Sequence, residues 1–246
     1  MTILALHGLG GARANALAYL PEGLRSHVVA PDVRAHGAST LLGTGDDFAL
    51  ASLAAECADA LAAEHDGSPV TIVGVSMGAA IGLRIALAGR FPIDRVAFLR
   101  PSFTHEALPA NLAVFPVVAD LLERHGQRGA LAALRASGVY DAVRSVSPAG
   151  ATALESQVTQ PHAWERRARL LEIPRDRAYA PGELANLGAP SVVLASPRDP
   201  VHPLHVAEEW AAGLRCRMLV SPARDDGAAA VTAWYREQLG SFLTGL

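Results

Sequence analysis

The fold of this chain is decided by residues 70–80, Val70-Thr71-Ile72-Val73-Gly74-Val75-Ser76-Met77-Gly78-Ala79-Ala80. A continuous apolar run predicts a buried strand, and the alanine-rich segment after it predicts a helix. Between them lies Gly-x-Ser-x-Gly, a tight turn that exposes a serine at the end of a strand. The glycines let the strand and the helix approach closely, and the first N–H groups of the helix face developing negative charge. Ser76 is therefore the candidate nucleophile, and the alternative is a turn retained for the fold alone.

Two other turns follow apolar runs nearer the N-terminus. The first is His7-Gly8-Leu9-Gly10-Gly11, in which a backbone N–H can face an oxyanion. The N–H groups of Leu9 and Met77 would form the oxyanion hole, and losing one such donor costs ~3 kcal/mol in the transition state. The second is Pro31-Asp32-Val33-Arg34-Ala35-His36-Gly37-Ala38-Ser39. We interpret His7 and this second turn as structural.

Short apolar runs alternate with longer alanine- and leucine-rich segments along most of the chain. The predicted strands are Ile3–Leu6, His27–Ala30, Val70–Val75, Arg95–Leu99, Ser191–Ala195 and Cys216–Val220. The predicted helices between and after them are Ala12–Leu20, Ala49–His65, Met77–Ala88, Pro203–Ala212 and Gly227–Leu243. This alternation predicts an α/β fold with a doubly wound, mostly parallel sheet.

One region breaks the alternation. Residues 102–189 show no convincing strand, and Leu112–Leu122, Gly129–Ser137 and Ala163–Glu172 have helical patterns separated by Pro and Gly. We predict a helical cap over residues 102–189, inserted into a core domain formed by 1–101 and 190–246. The alternative is a second helical domain placed elsewhere.

The three turns, in this order, resemble those of the α/β-hydrolase family, in which an HG loop, a D-x-R-G-H-G-x-S segment and a G-x-S-x-G turn recur. The resemblance covers the first hundred residues and resumes from Ser191 to the end. One departure is Ala35, where the family usually has glycine. The resemblance implies a catalytic acid after the next-to-last strand, which would be Asp199. Asp199 could instead cap the helix that begins near Pro203.

The family's catalytic histidine lies in the loop after the last strand, but here Ser221–Gly227 contains none. Asp225 or Asp226 falls near that position, and a serine without a base is a poor nucleophile. The candidates for a replacement are His202, His205 and His36. We favour His202, three residues after Asp199, and the alternative for it is a helix-cap or surface histidine.

An arginine follows the fourth predicted strand, in Arg100-Pro101-Ser102. At the carboxyl end of a strand it would face the crevice in which doubly wound sheets bind ligands. Arg100 could hold a substrate carboxylate or phosphate, or it could pair with Asp199. Arg198 is expected to face solvent.

Composition narrows the class of protein. The chain has 246 residues and a net charge of −3 without a cluster of Lys or Arg, so we expect neither nucleic acid nor a membrane as partner. The two cysteines, Cys57 and Cys216, are expected to be free thiols, and no ligand spacing predicts a metal or an organic cofactor. Without a signal peptide or a spanning segment, the protein is expected to be cytoplasmic. A homo-oligomer remains open.

These features favour a serine hydrolase that acts on an ester, thioester, lactone or amide of a small organic molecule. The missing C-terminal histidine keeps two alternatives open. One is a catalytically degenerate ligand-binding protein on the same scaffold, and the other is a lyase or isomerase that uses the same pocket.

Overall fold

The computed structural model describes residues 2–245, so Met1 and Leu246, the predicted ends of the core domain, lie outside the described residues. Six strands form one parallel sheet in the order β2-β1-β3-β4-β5-β6. The strands are β1 (Thr2–Leu6), β2 (Val28–Val29), β3 (Val70–Val75), β4 (Ile93–Leu99), β5 (Ser191–Ala195) and β6 (Arg217–Val220). The predicted parallel sheet is confirmed, with β2 shorter than expected.

The order of the strands positions two of the predicted turns side by side. The chain begins in the middle of the sheet, moves to the edge at β2 and then crosses back to β3, so β1 has one neighbour from each direction. Leu6 at the end of β1 pairs in register with Gly74 of β3. The turn after β1 and the turn after β3 therefore meet at a switch point, where such sheets bind ligands.

Helices cover both faces of the sheet, as a doubly wound fold requires. The helices of the described residues are α1 (Arg13–Ala18), α2 (Leu50–Glu64), α3 (Met77–Leu87), α4 (Val114–Arg135), α5 (Gly138–Val146), α6 (Pro148–Thr159), α7 (Ala168–Glu172), α8 (Leu204–Leu214) and α9 (Ala228–Thr244). Those that cover the sheet are α1, α2, α3, α8 and α9, whereas α4 to α7 lie in the segment between β4 and β5. Alternate strand residues point to opposite faces. Leu4 and Leu6 pack with the apolar residues of α2, α3 and α8, whereas Ile3 and Ala5 pack with those of α1 and α9.

Residues 102–189, here called the insert, contain helices α4 to α7. The structure describes all of these residues and shows no strand among them. The predicted helices Leu112–Leu122 and Gly129–Ser137 fall mostly within α4, which bends at Gly126 (φ 62°, ψ 172°), but each extends two residues beyond it. The predicted Ala163–Glu172 helix is shorter in the structure. Helices α5 and α6 were not predicted, because glycine and proline, here Gly138 and Pro148, usually interrupt helices.

Both of these residues instead begin a helix directly after a capping serine. The Ser137 hydroxyl accepts a hydrogen bond from the Tyr140 N–H, and the Ser147 hydroxyl accepts one from the Gly150 N–H. Proline is well tolerated at the first helical position, where its missing N–H would have no partner within the helix. A serine followed by Gly or Pro is therefore a helix start here.

The insert is joined to the rest of the chain by an apolar core and by polar contacts, among them those of one carboxylate in the loop after β6. Val118, Leu154 and Leu170 belong to the same buried cluster as Leu6. Asp225, in the loop after β6, accepts hydrogen bonds from the Ser147 hydroxyl (2.8 Å) and from the Ala149 N–H (2.7 Å) at the start of α6. Among residues 2–245, no helix is both long and apolar enough to cross a membrane.

Candidate functional site

The turn between β3 and α3 holds Ser76 in a backbone conformation that is rare for a residue with a side chain (φ 55°, ψ −112°). A Cβ on Gly74 would overlap the backbone of Gly78, and a Cβ on Gly78 would overlap the carbonyl of Leu6. Both glycines are thus required by the close approach of α3 to β1 and β3.

Ser76 lies in a continuous chain of hydrogen bonds with His202 and Asp199. The Ser76 Oγ is 2.9 Å from the Nε2 of His202, and the Nδ1 of His202 is 2.9 Å from the Oδ2 of Asp199. Asp199 and His202 are on the same short loop, between β5 and α8. The structure therefore brings together the three residues that the sequence singled out, although the histidine is in an unusual position along the chain.

The other histidine candidates lie elsewhere. His36 is fully buried, and its Nδ1 donates to the carbonyl of Arg34 at 2.8 Å. His205 is exposed on α8. His7 donates through Nδ1 to the Gly8 carbonyl and accepts the Val33 N–H at Nε2, which joins the two N-terminal turns. Both ring nitrogens of His7 are occupied by backbone groups.

Asp199 is surrounded by donors. Its Oδ1 accepts the N–H groups of Val201 (3.1 Å) and His202 (3.2 Å), and the Nη1 of Arg224 lies 3.4 Å from its Oδ2. Burial would raise the pKa of this carboxyl, but His202, Arg100 and Arg224 together outweigh burial and hold the pKa well below its usual range. Asp199 is therefore ionised at neutral pH, and it fixes the imidazole with its proton on Nδ1.

The His202 imidazole is neutral at rest. Its burial lowers the pKa, and although Asp199 raises it, Arg100 and Arg224 lower it further, so that the net shift is downward from 6.5. A neutral ring that donates through Nδ1 leaves a lone pair on Nε2. That nitrogen can accept a proton from the Ser76 hydroxyl.

Ser102 is a residue of the site whose part the sequence did not indicate. Its hydroxyl is fully buried and lies 2.9 Å from the Ser76 Oγ. Because Ser76 has one proton and donates it to His202, Ser102 must be the donor in this contact. In the sequence, the only indication that Ser102 belongs to the site was its position just after β4. That strand is the neighbour of β3 in the sheet.

The predicted oxyanion-hole residues also lie beside Ser76. A Cβ added to Gly8 would be 3.2 Å from the Cβ of Ser76, so the turn after β1 passes directly over the serine. Leu9 lines the same cavity as Ser76. Met77 is the first residue of α3, and the first N–H groups of a helix have no partner within it.

A cavity of about 240 Å³ opens over the serine, between the sheet end and the insert. The core contributes Gly8, Leu9, Gly10, Gly11, Asn15, Tyr19, Val75, Ser76, Arg100, Val201, His202 and Arg224. The insert contributes Phe115, Gly150, Ala153, Leu154, Ser156 and Gln157. The described residues hold no group of three or more His, Cys, Asp or Glu side chains suited to a metal ion.

Two arginines border this cavity. The Nη1 of Arg100 is 3.8 Å from the Oδ2 of Asp199, so both of the uses weighed for Arg100, an ion pair and contact with a ligand, are geometrically open. Arg224 comes from the loop that holds the histidine in the family, and the sequence did not single it out. Arg198 is half-exposed and pairs with Asp226 at the surface.

Comparison with known proteins gives the family. The family model described as the alpha/beta hydrolase fold matches residues 2–224. No curated protein matches the sequence.

Many solved structures match the fold of the chain at low sequence identity. MenH from S. aureus is 16% identical with a TM-score of 0.73, covering 100% of this chain and 94% of that one. The enol-lactonase from Burkholderia xenovorans LB400 is 20% identical with a TM-score of 0.72, covering 98% and 90%. A thermophilic esterase from Thermogutta terrifontis is 18% identical with a TM-score of 0.70, also covering 98% and 90%. At such identities these neighbours show a shared fold, and the match over residues 2–224 shows that the chain belongs to the α/β-hydrolase fold family.

Proposed function

We propose that the protein is a serine hydrolase that cleaves an ester, thioester, lactone or amide of a small organic molecule. The observation that carries the proposal is the unbroken hydrogen-bonded chain from Ser76 through His202 to Asp199. A hydroxyl next to an oriented, neutral imidazole is the arrangement that activates a serine for attack on a carbonyl.

In this mechanism the Ser76 Oγ attacks the carbonyl carbon while its proton moves to the Nε2 of His202. The carbonyl oxygen becomes an oxyanion that accepts hydrogen bonds from the N–H groups of Leu9 and Met77. Asp199 stabilises the imidazolium, which then protonates the leaving group. Water, activated by the neutral imidazole, hydrolyses the acyl enzyme and frees Ser76.

The insert is proposed to act as a cap. Phe115, Leu154 and Gln157 of the insert line the same cavity as Ser76, and Gln157 Nε2 donates to the carbonyl of Leu9 at 3.3 Å. This arrangement would hold the turn after β1 in place and limit the access of water to the acyl enzyme.

A fluorophosphonate probe tests the proposal, because it labels an activated serine irreversibly. We expect the wild-type protein to be labelled and Ser76→Ala to be inert, while Ser145→Ala, a change at an exposed serine of α5, is labelled like wild type. His202→Ala should slow labelling by about a hundredfold or more, the scale of a lost general base. A folded wild-type protein that the probe does not label would contradict the proposal and favour a ligand-binding scaffold.

A further inference from the structure

The walls of the cavity over Ser76 have an unbalanced charge. Among its described lining residues, Arg100 and Arg224 are cationic and none is acidic. The nearest carboxylate, Asp199, lies behind His202 with its side chain 1% exposed. Two guanidinium groups thus face one carboxylate, and the site holds an excess of one positive charge.

Asp199 already accepts hydrogen bonds from several donors, and Arg100 is not one of them. Two backbone N–H groups, the His202 imidazole and Arg224 all lie within 3.4 Å of its oxygens. Arg100 remains outside hydrogen-bond distance, with its Nη1 at 3.8 Å. Asp199 is thus close enough to attract the Arg100 guanidinium, but it does not accept a hydrogen bond from it.

The Arg100 side chain is 10% exposed, yet its hydrogen bonds are few. Its Nη2 donates to the Tyr19 hydroxyl at 3.3 Å, and its Nε has no partner. A buried donor without an acceptor costs free energy, and guanidinium has several donors to satisfy. The backbone of Arg100 is also in the left-handed region (φ 46°), a conformation that tends to persist at functional sites.

We propose that Arg100 and Arg224 bind a carboxylate on the substrate, so that the enzyme acts on small esters, thioesters or lactones that carry a free carboxylate. This inference rests on the proposed function, since it names the substrate class for the same Ser76. A forked guanidinium matches the two oxygens of a carboxylate. The small cavity, which Ser76 and both arginines share, places the carboxylate only a few bonds from the scissile carbonyl.

Matched pairs of esters test the substrate class. One pair has the charge on the acyl side, the mono-p-nitrophenyl ester of glutarate against its methyl-capped diester, and the other has it on the leaving group, 4-acetoxybenzoate against 4-acetoxybenzamide. The measured quantity is the ratio of kcat/KM within each pair, because the ratio cancels any effect of a substitution on the His202–Asp199 pair. We expect at least one pair to favour the anion by about tenfold or more, the effect of one charge-assisted hydrogen bond.

Variants of Arg224 test whether this preference depends on the proposed carboxylate site. Arg224→Met should remove most of the preferred ratio, and Arg224→Lys should retain more of it than Arg224→Met does. Arg128→Met makes the same change in net charge at an exposed residue of α4 and should leave the ratio at the wild-type value. Ratios near one in both pairs, or a ratio that Arg224→Met leaves intact, would overturn the inference.

The inference and the proposed function can fail separately. If the neutral esters are hydrolysed through Ser76 without an anionic preference, only the carboxylate site is wrong. If no ester is hydrolysed and the fluorophosphonate does not react, calorimetric titration of the wild-type protein with glutarate still tests the site. Binding that Arg224→Met weakens by about tenfold or more would support it, and the absence of binding would contradict it.

Discussion

At the scale of single residues, the charges around His202 determine the pH range in which it can accept a proton. Burial lowers the pKa of His202 below 6.5. Asp199 raises this pKa, whereas Arg100 and Arg224 lower it. The proposed base works only as the neutral imidazole. The pKa of His202 therefore sets the acid limit of activity.

We expect kcat/KM for a neutral ester to be constant near pH 7 and to fall only below pH 6.5, as His202 becomes protonated. Arg224→Met removes a nearby positive charge, so the pKa of His202 should rise and the acid limb should move to higher pH. The profile of kcat/KM measured between about pH 5 and 8 checks this. Arg128→Met should leave the limb in place, and a limb that moves to lower pH in Arg224→Met would be inconsistent with this account.

Ser102 is expected to act through Ser76. Ser102→Ala removes the hydrogen bond that the Ser76 oxygen accepts, and that oxygen takes on alkoxide character as its proton moves to His202. We expect kcat to fall by about tenfold, corresponding to one hydrogen bond to a charged group, with KM nearly unchanged. Steady-state kinetics separate the two constants, and Ser145→Ala serves as control. A change confined to KM would argue against this role.

Sequence alone could place part of the site, for physical reasons. Ser76 is fixed by a local pattern, and Asp199 and His202 are close in the chain, so their proximity in space follows from one loop. Ser102 and Arg224 reach the site from the ends of β4 and β6, and only the tertiary arrangement brings them to β3 and β5. The sequence directed attention to Asp225 and Asp226 in the loop after β6. In the structure, Arg224 is the residue of that loop that lines the cavity.

At the scale of elements, the first turn of α3 packs closely against the end of β1. We expect Gly78→Ala to destabilise the protein by about 2–3 kcal/mol, because the added methyl group meets the rigid carbonyls of Leu6 and His7 rather than a movable side chain. Urea denaturation measures the loss. Gly138→Ala is the matched control, since a Cβ there meets nothing within 4 Å and alanine favours the helix.

A stability of Gly78→Ala equal to wild type would mean that α3 can shift away from β1.

The elements themselves were predicted best where the pattern is long and apolar. In the core, β3 and β5 have the predicted bounds, and α3 differs at its end by a single residue. In the insert, capping serines start α5 and α6 at residues with weak helix propensity, and a pattern that weighs propensity alone passes over them.

At the scale of the whole molecule, buried histidines couple folding to pH. Burial is the main cause that lowers the pKa of His7, His36 and His202 in the folded protein, and that of His36 is well below 6.5. In the unfolded chain each would have a pKa of about 6.5. Below that pH the unfolded state binds more protons than the folded state.

We therefore expect the free energy of unfolding to be at its full value above pH 6.5 and to fall as the pH decreases below it. Each histidine contributes a slope of up to about 1.4 kcal/mol per pH unit, so the three together give up to about 4 kcal/mol per unit. Urea titrations at a series of pH values measure the slope. His36→Gln should reduce it by about one third, and a stability that is flat or rises on acidification would contradict this prediction.

The order of the strands explains why the fold was predictable as a whole. Parallel strands buried on both faces have continuous apolar sequences, and these runs alternate with the helices that cover them. The two residues of β2 lie at the sheet edge, where the pattern is short and its bounds are poorly defined. The position of the insert depends on tertiary contacts, both among its own helices and with the core, and no local pattern in the sequence predicts these contacts.

The loop between β5 and α8 supplies both partners of Ser76, and this has a mechanical consequence. Asp199 and His202 would travel as one rigid unit if that loop moved, so their mutual geometry would survive while both left the serine together. Activity would then be switched as a whole rather than graded. The segment after β6 holds no imidazole, and its Arg224 lines the cavity instead. Changes in that segment would therefore alter which molecules bind without separating the histidine from its carboxylate.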